Sequence, residues 1–129
     1  MILWRLVPAH REASALDGVG ASIRGGRWNS KGLFAVYLSL EPATTILETL
    51  TTFSRATAPE QGYRLLKVEY KGSRQSVDVA QLPRGWDRWD SAVTARRVGN
   101  AFLRERKAGA LLVPCIFLPA ATNVVLNPN

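Results

Sequence analysis

The segment ALLVPCIFLP, residues 110–119, constrains the fold of this chain more than any other. Apart from its two prolines, every residue in it is apolar. A short run of this kind is typical of a strand that is buried on both faces of a sheet. It therefore predicts a central strand with other elements packed against both of its sides.

The rest of the chain supplies neighbours for that strand. Apolar and β-branched runs predict further strands at residues 2–7, 33–39, 63–72, 76–82 and 123–127. Helical spacing predicts helices over 41–56 and from Asp90 or Ser91 to about 107, the second stopped by Gly109. Residues 9–32 are irregular apart from a short helix around 12–16. This order predicts the α+β class, with a compact, mixed and largely antiparallel sheet and flanking helices.

Composition narrows the class of protein. At 129 residues the chain is long enough for one domain with a sizeable core, and its net charge of +7 attracts anionic partners. One cysteine excludes an internal disulfide, and one cysteine with one histidine leaves little for a structural metal site. No apolar run reaches the roughly 20 residues that span a bilayer, and no signal peptide is visible. We therefore expect a cytoplasmic protein without a membrane partner.

The loop GGRWNSKG, residues 25–32, contains three glycines and two cations. Glycines let backbone N–H groups approach a ligand closely, and an arginine such as Arg27 offers phosphate a bidentate fork. The same composition also fits a solvated basic turn in which Trp28 packs its ring into the core. The loop alone leaves both interpretations open.

The strand after this loop has an unusual second face. Alternation places its large apolar residues on one face, which we expect to be core: Phe34, Val36 and Leu38. The opposite face holds small or hydroxylated residues: Ala35, Tyr37 and Ser39. That set is not typical of plain exposure to solvent.

The helix that follows has an apolar stripe that we expect to be buried: Ala43, Ile46, Leu47, Leu50 and Phe53. At about 100° per residue, Glu48 lies nearly opposite this stripe, beside four threonines: Thr44, Thr45, Thr51 and Thr52. A solvated helix face normally carries longer polar side chains. The short threonines therefore predict that something approaches Glu48 closely.

Arg27, Tyr37 and Glu48 could converge on one cleft that suits a nucleotide with a scissile sugar–base bond. Arg27 would hold the pyrophosphate, and Tyr37 would stack on a planar ring. Glu48 would stabilise the positive charge that develops on the sugar as the base departs. One carboxylate suffices when the leaving group is as good as a pyridinium.

Other catalytic groups have little support. His10 has no second ligand at metal spacing, so a surface or packing role is expected and no metal site is predicted. Cys115 follows a proline inside an apolar run, which is typical of a buried, inert thiol rather than a nucleophile.

At these residues the chain resembles the RES-domain toxins of Xre–RES toxin–antitoxin pairs. The resemblance lies in GGRWNSKG, VYLSLEPATTILE, LLVP and NVVLNP, and it covers nearly the whole chain. Arg27, Tyr37 and Glu48 fall on the arginine, tyrosine and glutamate of that family, at intervals of ten and eleven residues. The combined order of the motifs is specific, whereas GGRWN alone is not.

The resemblance implies one RES domain over residues 1–129, with a fold similar to ADP-ribosyltransferases. It implies a toxin that arrests growth by breaking the nicotinamide–ribose bond of NAD⁺, through hydrolysis or phosphorolysis. NAD⁺ is then the substrate, and no cofactor is expected. The residues expected around the substrate, besides the three already named, are Trp28, Asn29, Ser39 and Cys115, with Asn29 mainly fixing the loop.

The resemblance also implies a partner protein. This is a DNA-binding Xre-type antitoxin whose C-terminal region blocks the active-site cleft, so the toxin reaches nucleic acid only through it. A homodimer of the toxin within that complex is an open alternative.

Two departures from the family pattern bear on activity. Cys115 stands where the family has a serine, and a thiol is a weaker hydrogen-bond partner than a hydroxyl. If that serine orients the substrate or Glu48, activity is lowered or altered here. The chain also stops at LNPN, where relatives continue with another strand, so it is expected to be a naturally short member or a truncated one.

Three other functions stay open at this stage. The same pocket could transfer ADP-ribose to a protein instead of to water or phosphate. The basic segment TARRVGNAFLRERK and the tryptophans Trp86 and Trp89, expected to be exposed, fit a small nucleic-acid-binding module. A degenerate RES protein would bind its partner without turnover, with Cys115 as the cause.

Overall fold

A computed structural model of the chain describes residues 1–52 and 61–129. The strands are β1 (Ile2–Pro8), β2 (Val36–Ser39), β3 (Tyr63–Glu69), β4 (Arg74–Ser76), β5 (Ala110–Pro114) and β6 (Thr122–Leu126). The α-helices are α1 (Val19–Arg24), α2 (Pro42–Thr52) and α3 (Val93–Glu105), and short 3₁₀ helices span Ala9–Ser14 and Val79–Gln81. The strands form one sheet in the order β3-β1-β2-β6-β5-β4, in which only β4 and β5 are parallel. The predicted α+β class with a largely antiparallel sheet is confirmed.

The two edge strands, β3 and β4, are joined by residues 70–73 alone. Six flat strands would hold the edges about 24 Å apart, since neighbouring strands lie about 4.8 Å from each other. The link from Glu69 to Arg74 reaches at most about 18 Å, at about 3.6 Å per residue. The sheet must therefore curl. Arg74 Nη1 accordingly donates to Met1 Sδ, at the start of β1, over 3.1 Å.

The curled sheet has an inner and an outer face, each with its own apolar cluster. The inner cluster joins strands from both halves of the sheet: Leu3, Val36, Leu38, Ala110 and Val124. The outer cluster packs α3 and two loops onto residues that alternate with the inner ones: Leu111, Val113 and Val125. Because both faces are covered, β5 is buried at four of its five positions, as its apolar run predicts.

The loop around residues 83–91 folds back over the outer face. Trp86 stacks on Trp28, with ring centroids 6.1 Å apart, and only 5% of Trp86 is exposed. The prediction that Trp86 is exposed is therefore wrong, because its ring completes the outer cluster. Trp89 is 84% exposed, as predicted.

Several element ends differ from the predictions for local reasons. β4 stops at Ser76, because Asp78 and Gln81 exchange side-chain and backbone hydrogen bonds as a capping box that starts a 3₁₀ helix. α3 is preceded by Ala92, which offers no side-chain cap; Asp90 pairs with Arg88, and Ser91 Oγ accepts from Val93 N–H at 3.5 Å. The same helix ends at Glu105 and is terminated by Arg106, in a left-handed conformation with φ 53°, rather than by Gly109. β2 begins at Val36, and Phe34 is exposed.

The buried face of α2 is the reverse of the predicted one. Thr44 and Thr45 are buried, whereas the predicted stripe is exposed: Ala43, Ile46, Leu47 and Leu50. Phe53, the last member of that stripe, lies outside the described residues. The threonine face packs because the sheet offers it polar partners, as where Leu6 N–H donates to Thr45 Oγ1 over 3.3 Å. The threonines did indicate a close approach to Glu48, and the protein's own strands make it.

Gly99 in α3 sets how closely this helix packs on the loop at residues 25–32. A Cβ at position 99 would clash with the carbonyl group of Trp28. We expect Gly99→Ala to lower the free energy of unfolding by about 1–3 kcal/mol, the usual cost of overpacking, as measured by urea denaturation. Gly20→Ala in α1 is the matched control, because its Cβ would meet only the far end of Arg24 at 3.1 Å. Equal losses in both variants would contradict this packing.

Candidate active-site cleft

A cleft of about 1380 Å³ lies between the loop that begins at Gly25, α1, α2 and the strands β1 and β2. Small-molecule sites usually measure about 300–1,000 Å³, so the cleft has room for a dinucleotide. Five of the predicted site residues line it: Arg27, Trp28, Tyr37, Ser39 and Glu48. Asn29 and Cys115 are fully buried and lie behind its wall.

Arg27 is held to the loop that carries the buried Trp86. Its Nη1 donates to three backbone carbonyls, of Trp86 at 3.3 Å, Arg88 at 2.6 Å and Ser91 at 3.1 Å. Among the described residues, its Nε and Nη2 have no hydrogen-bond partner. The guanidinium is therefore fixed at one nitrogen and free to bind an anion with the other two.

The electrostatics of Arg27 connect it to both walls of the cleft. Burial lowers the pKa of Arg27, the Arg96 cation lowers it further, and the Glu48 carboxylate acts in the opposite direction. Arg27 and Glu48 thus interact electrostatically across the same space. An incoming anion would relieve the crowding of the two cations.

Tyr37 holds the loop through its hydroxyl group. Trp28 N–H donates to the Tyr37 oxygen at 3.0 Å, and the hydroxyl donates to Asn29 Oδ1 at 2.6 Å. A Cβ at Gly26 would lie 2.5 Å from that hydroxyl oxygen, so the approach requires glycine. With both hydrogen bonds made inside the protein, it is the ring of Tyr37 that can contact a ligand.

Asn29 fixes the conformation of the loop through hydrogen bonds on its buried side. Its Nδ2 donates to the carbonyls of Ala21 at 2.9 Å and Leu33 at 3.0 Å, while Oδ1 accepts from Tyr37. The side chain is fully buried, so the structure places it behind the loop rather than against a substrate. Trp28, only 2% exposed, likewise directs its ring into the core.

Glu48 is held at one carboxylate oxygen. Oε1 accepts from Cys115 Sγ at 3.0 Å and from Asn123 Nδ2 at 2.7 Å. Asn123 Oδ1 in turn accepts from Ser39 Oγ at 2.7 Å. Burial, and next the hydrogen bond to Glu48, raise the pKa of the Cys115 thiol, so the thiol stays protonated and serves as a donor. Cys115 therefore contacts the carboxylate and not the open cleft.

Arginines outnumber carboxylates around the cleft. Five arginines line it: Arg5, Arg11, Arg24, Arg27 and Arg96. The only carboxylates among the lining residues that the structure describes are Asp17 and Glu48. Asp17 Oδ1 accepts from Val19 N–H at 2.9 Å, at the start of α1. The cleft is therefore suited to an anionic ligand, with Glu48 as its one deep carboxylate.

Three residues of this site were missed in the sequence. Arg5 Nη1 donates to the Tyr37 carbonyl at 2.7 Å, and its Nε is buried without a partner. The lone charge within the apolar segment ILWRLV was the available signal. Arg96, which the sequence offered only as part of the basic segment TARRVGNAFLRERK, donates from Nε to the Gly26 carbonyl at 2.8 Å. Asn123 follows Thr122 at the start of β6, ahead of three apolar residues.

The described residues contain no group of three or more His, Cys, Asp and Glu side chains that could hold a metal ion. None of the helices in the described ranges is both long enough and apolar enough to cross a membrane.

Comparisons with known proteins identify relatives over almost the whole chain. The family model of the RES domain matches residues 2–129. A protein named Prs ADP-ribosylating toxin, from Sphingobium sp. (strain YBL2), is 32% identical over 131 residues, covering 97% of this chain and 81% of that protein. A protein named Toxin Res, from Yersinia enterocolitica, is 31% identical over 130 residues, covering 100% and 85%.

The fold also has a match among solved structures. A chain in the crystal structure of the M. tuberculosis MbcT–MbcA toxin–antitoxin complex superposes with a TM-score of 0.76. The match covers 97% of this chain and 72% of that one, at 24% sequence identity. At this identity the likeness establishes a shared fold.

The buried hydroxyl of Tyr37 predicts a specific loss of stability in alkali. Burial raises the pKa of Tyr37 to about 12, against about 10 in an unfolded chain. The folded state therefore gains stability below pH 10 and loses it as the pH rises towards 12. Between pH 9 and 11 the free energy of unfolding should fall by roughly 1–1.5 kcal/mol more in the wild type than in Tyr37→Phe. Parallel pH dependences in urea denaturation would contradict this assignment.

Proposed function

The chain belongs to the RES domain family, and from that premise we propose that it is a toxin that breaks the nicotinamide–ribose bond of NAD⁺. The observation that carries the proposal is Glu48, a single anchored carboxylate in a cleft lined with arginines. NAD⁺ has the complementary charges, with an anionic pyrophosphate and a cationic nicotinamide ring. The cleft, at about 1380 Å³, also has room for a molecule of the size of NAD⁺.

The pyrophosphate would lie against Arg27. The two nitrogens of Arg27 that have no partner in the described chain can donate to phosphate oxygens in a bidentate arrangement. Arg5 adds a second cation whose buried Nε lacks a partner. Binding against these two cations would position the nicotinamide end towards Glu48 and the ring of Tyr37.

Glu48 would act on the bond that breaks. As the C–N bond to ribose breaks, its electron pair moves to the ring nitrogen, which neutralises the pyridinium and leaves a cation on the sugar. A fixed carboxylate stabilises that cation more than the neutral ribose, and this difference lowers the barrier. Water, which then loses a proton, or phosphate adds to the same carbon. No general acid is required, because nicotinamide leaves as a neutral molecule.

The proposal includes an antitoxin partner of the Xre type that blocks the cleft. Its support is that a chain in a toxin–antitoxin complex shares this fold and that curated relatives are named as toxins. The basic cleft would attract an acidic or carboxylate-bearing segment of such a partner. We place the reaction in the cytoplasm, where NAD⁺ is available.

Transfer of ADP-ribose to a protein is the second candidate. A relative 32% identical to this chain is named an ADP-ribosylating toxin. The cleft would hold NAD⁺ in the same way, and only the acceptor would differ. NAD⁺ labelled in the adenylate half, incubated with a bacterial lysate, distinguishes the two, because covalent label on protein arises only from transfer to protein.

Replacement of the Glu48 carboxylate tests the chemistry directly. We expect Glu48→Gln to lower the rate of nicotinamide release by at least about 100-fold, the usual loss when a group that stabilises transition-state charge is removed. Folding should be retained, because glutamine has the same shape. Release of nicotinamide from NAD⁺ is measured with and without phosphate. Glu41→Gln, at an exposed position just before α2, is the matched control and should leave the rate unchanged.

Two results would refute this role of Glu48. One is that neither the wild type nor Cys115→Ser releases nicotinamide under either condition. The other is a Glu48→Gln variant with a rate within about twofold of the wild type, since a charge that matters to the transition state cannot be removed at so small a cost.

The thiol of Cys115 gives a graded test of how Glu48 is held. Cys115→Ala removes one of two donors to Oε1 and should lower the rate by about 3- to 10-fold, the worth of a modest hydrogen bond. Cys115→Ser supplies a stronger donor and should raise the rate above that of the wild type. A serine variant slower than the alanine variant would contradict the role of the thiol as a donor. Activity that appears only in Cys115→Ser would identify the natural chain as a degenerate toxin.

A further inference from the structure

We propose that Asn123, fixed by Ser39, is a positioning residue that orients the Glu48 carboxylate. This inference rests on the proposed function, because that function gives Glu48 its role in breaking the nicotinamide–ribose bond. It concerns two residues of the sheet, of which Asn123 contacts the carboxylate and Ser39 contacts Asn123. Asn123 and Ser39 are direct cross-strand partners on β6 and β2, so the sheet register itself sets their spacing.

The three side chains form a short chain of hydrogen bonds with one possible direction. Ser39 Oγ lies 2.7 Å from Asn123 Oδ1, and Asn123 Nδ2 lies 2.7 Å from Glu48 Oε1. An ionised carboxylate only accepts hydrogen bonds, so the amide must turn its NH₂ group towards Glu48. Asn123 then presents its oxygen to Ser39, whose hydroxyl must donate. Each member thus fixes the orientation of the next.

The Glu48 carboxylate explains why the amide cannot turn over, and the buried Ser39 hydroxyl holds the amide oxygen in place. Only 2% of Ser39 is exposed, and its hydroxyl has Asn123 as its hydrogen-bond partner in the described chain. A flipped amide would place its NH₂ against that hydroxyl and its oxygen against the carboxylate oxygen. That arrangement sets two acceptors face to face in a partly buried site, which is costly. Ser39 thus fixes the amide of Asn123 and also lines the cleft.

The chemical type of the donor matters for catalysis. Asn123 is neutral, so it holds Glu48 without cancelling the negative charge that the departing nicotinamide requires. A lysine or arginine in its place would form an ion pair with Glu48 and offset its negative charge before the substrate binds. The amide and the thiol of Cys115 both bind Oε1. No donor to Oε2 occurs in the part of the chain that the structure describes, which leaves that oxygen for the ribose.

Asn123→Asp gives a test with a pH signature. The variant keeps the shape of the amide but sets a second carboxylate against Glu48. When both are ionised they repel, so kcat should fall by about 30- to 100-fold at pH 8. At lower pH the pair shares one proton and the hydrogen bond is restored, so the loss should shrink below about tenfold near pH 5.5. KM for NAD⁺ should change less than threefold, because the pyrophosphate is bound elsewhere.

Asn127→Asp is the matched control. It makes the same change just beyond the same strand, where Asn127 Nδ2 donates to the Leu103 carbonyl at 3.0 Å on the side of α3. It should alter stability and leave the ratio of its kcat to the wild-type kcat independent of pH. A uniform loss in Asn123→Asp at every pH, matched by a loss of folded protein, would reduce Asn123 to a structural residue and overturn the proposal.

A double-variant cycle tests the part of Ser39. Ser39→Ala should lower kcat by about 3- to 10-fold, because the amide keeps its donor but loses the lock on its orientation. Asn123→Ala should lower kcat more than Ser39→Ala does. Adding Ser39→Ala to Asn123→Ala should lower kcat no further, because Ser39 acts only through Asn123. If the two losses multiply in the double variant, Ser39 acts independently of Asn123. That result would overturn the relay, by which we mean the hydrogen-bonded chain from Ser39 through Asn123 to Glu48.

A readout without turnover separates this inference from the proposed reaction. The side-chain amide signals of Asn123 are assigned in a ¹⁵N-correlated NMR spectrum by their disappearance in Asn123→Asp. They should shift with pH in the wild type and lose that shift in Glu48→Gln, while the Asn127 signals stay unaffected in both. If no nicotinamide is released but these shifts occur, the reaction fails and the relay stands. If the Asn123 signals shift with pH in Glu48→Gln just as they do in the wild type, the relay fails, whether or not nicotinamide is released.

Discussion

The link of four residues between the two edge strands is the constraint on which the rest of the structure depends. It forces the sheet to curl, and the curl lets the sheet bury its inner face against itself. Leu3 and Ala110, from strands that are three places apart in the sheet order, meet in one inner cluster for this reason. The helices therefore need to cover only the outer face of the sheet. The apolar stripe of α2 is not required for the core and stays exposed. The polar face of α2 can serve the cleft.

The cleft is organised by hydrogen bonds that the protein makes with itself. Tyr37 and Asn29 fix the loop, three carbonyls fix one nitrogen of Arg27, and Asn123 fixes one oxygen of Glu48. Arg27 and Glu48 thus use part of their hydrogen-bonding capacity for position and keep the remainder. Preorganisation of this kind removes the entropy cost of orienting the groups when the substrate binds. The placement of the charges therefore follows from the fold rather than from the ligand.

The sequence predicted the class of the fold, the order of the strands with α2 and α3, and five of the residues that line the cleft, because these depend on local periodicity and on motif order. It did not predict α1, which lies in a segment expected to be irregular. It did not predict the buried face of α2, since hydrophobic periodicity assumes that the apolar side is covered. That assumption fails where the polar side has better partners, such as Leu6 N–H for Thr45. Arg96 and Asn123 were missed for a related reason. Their roles depend on contacts with residues 70 or more positions away in the chain, which periodicity cannot register.

The central claim is that the cleft binds NAD⁺ with its pyrophosphate at Arg27 and its nicotinamide ribose at Glu48. The most direct measurement is a crystal structure of the Glu48→Gln variant in complex with intact NAD⁺. The account predicts phosphate oxygens within hydrogen-bond distance of Nε and Nη2 of Arg27, with the ribose beside residue 48. NAD⁺ bound in another place, or in this cleft with its ribose more than about 10 Å from residue 48, would contradict it, because a carboxylate at that distance cannot act on the breaking bond.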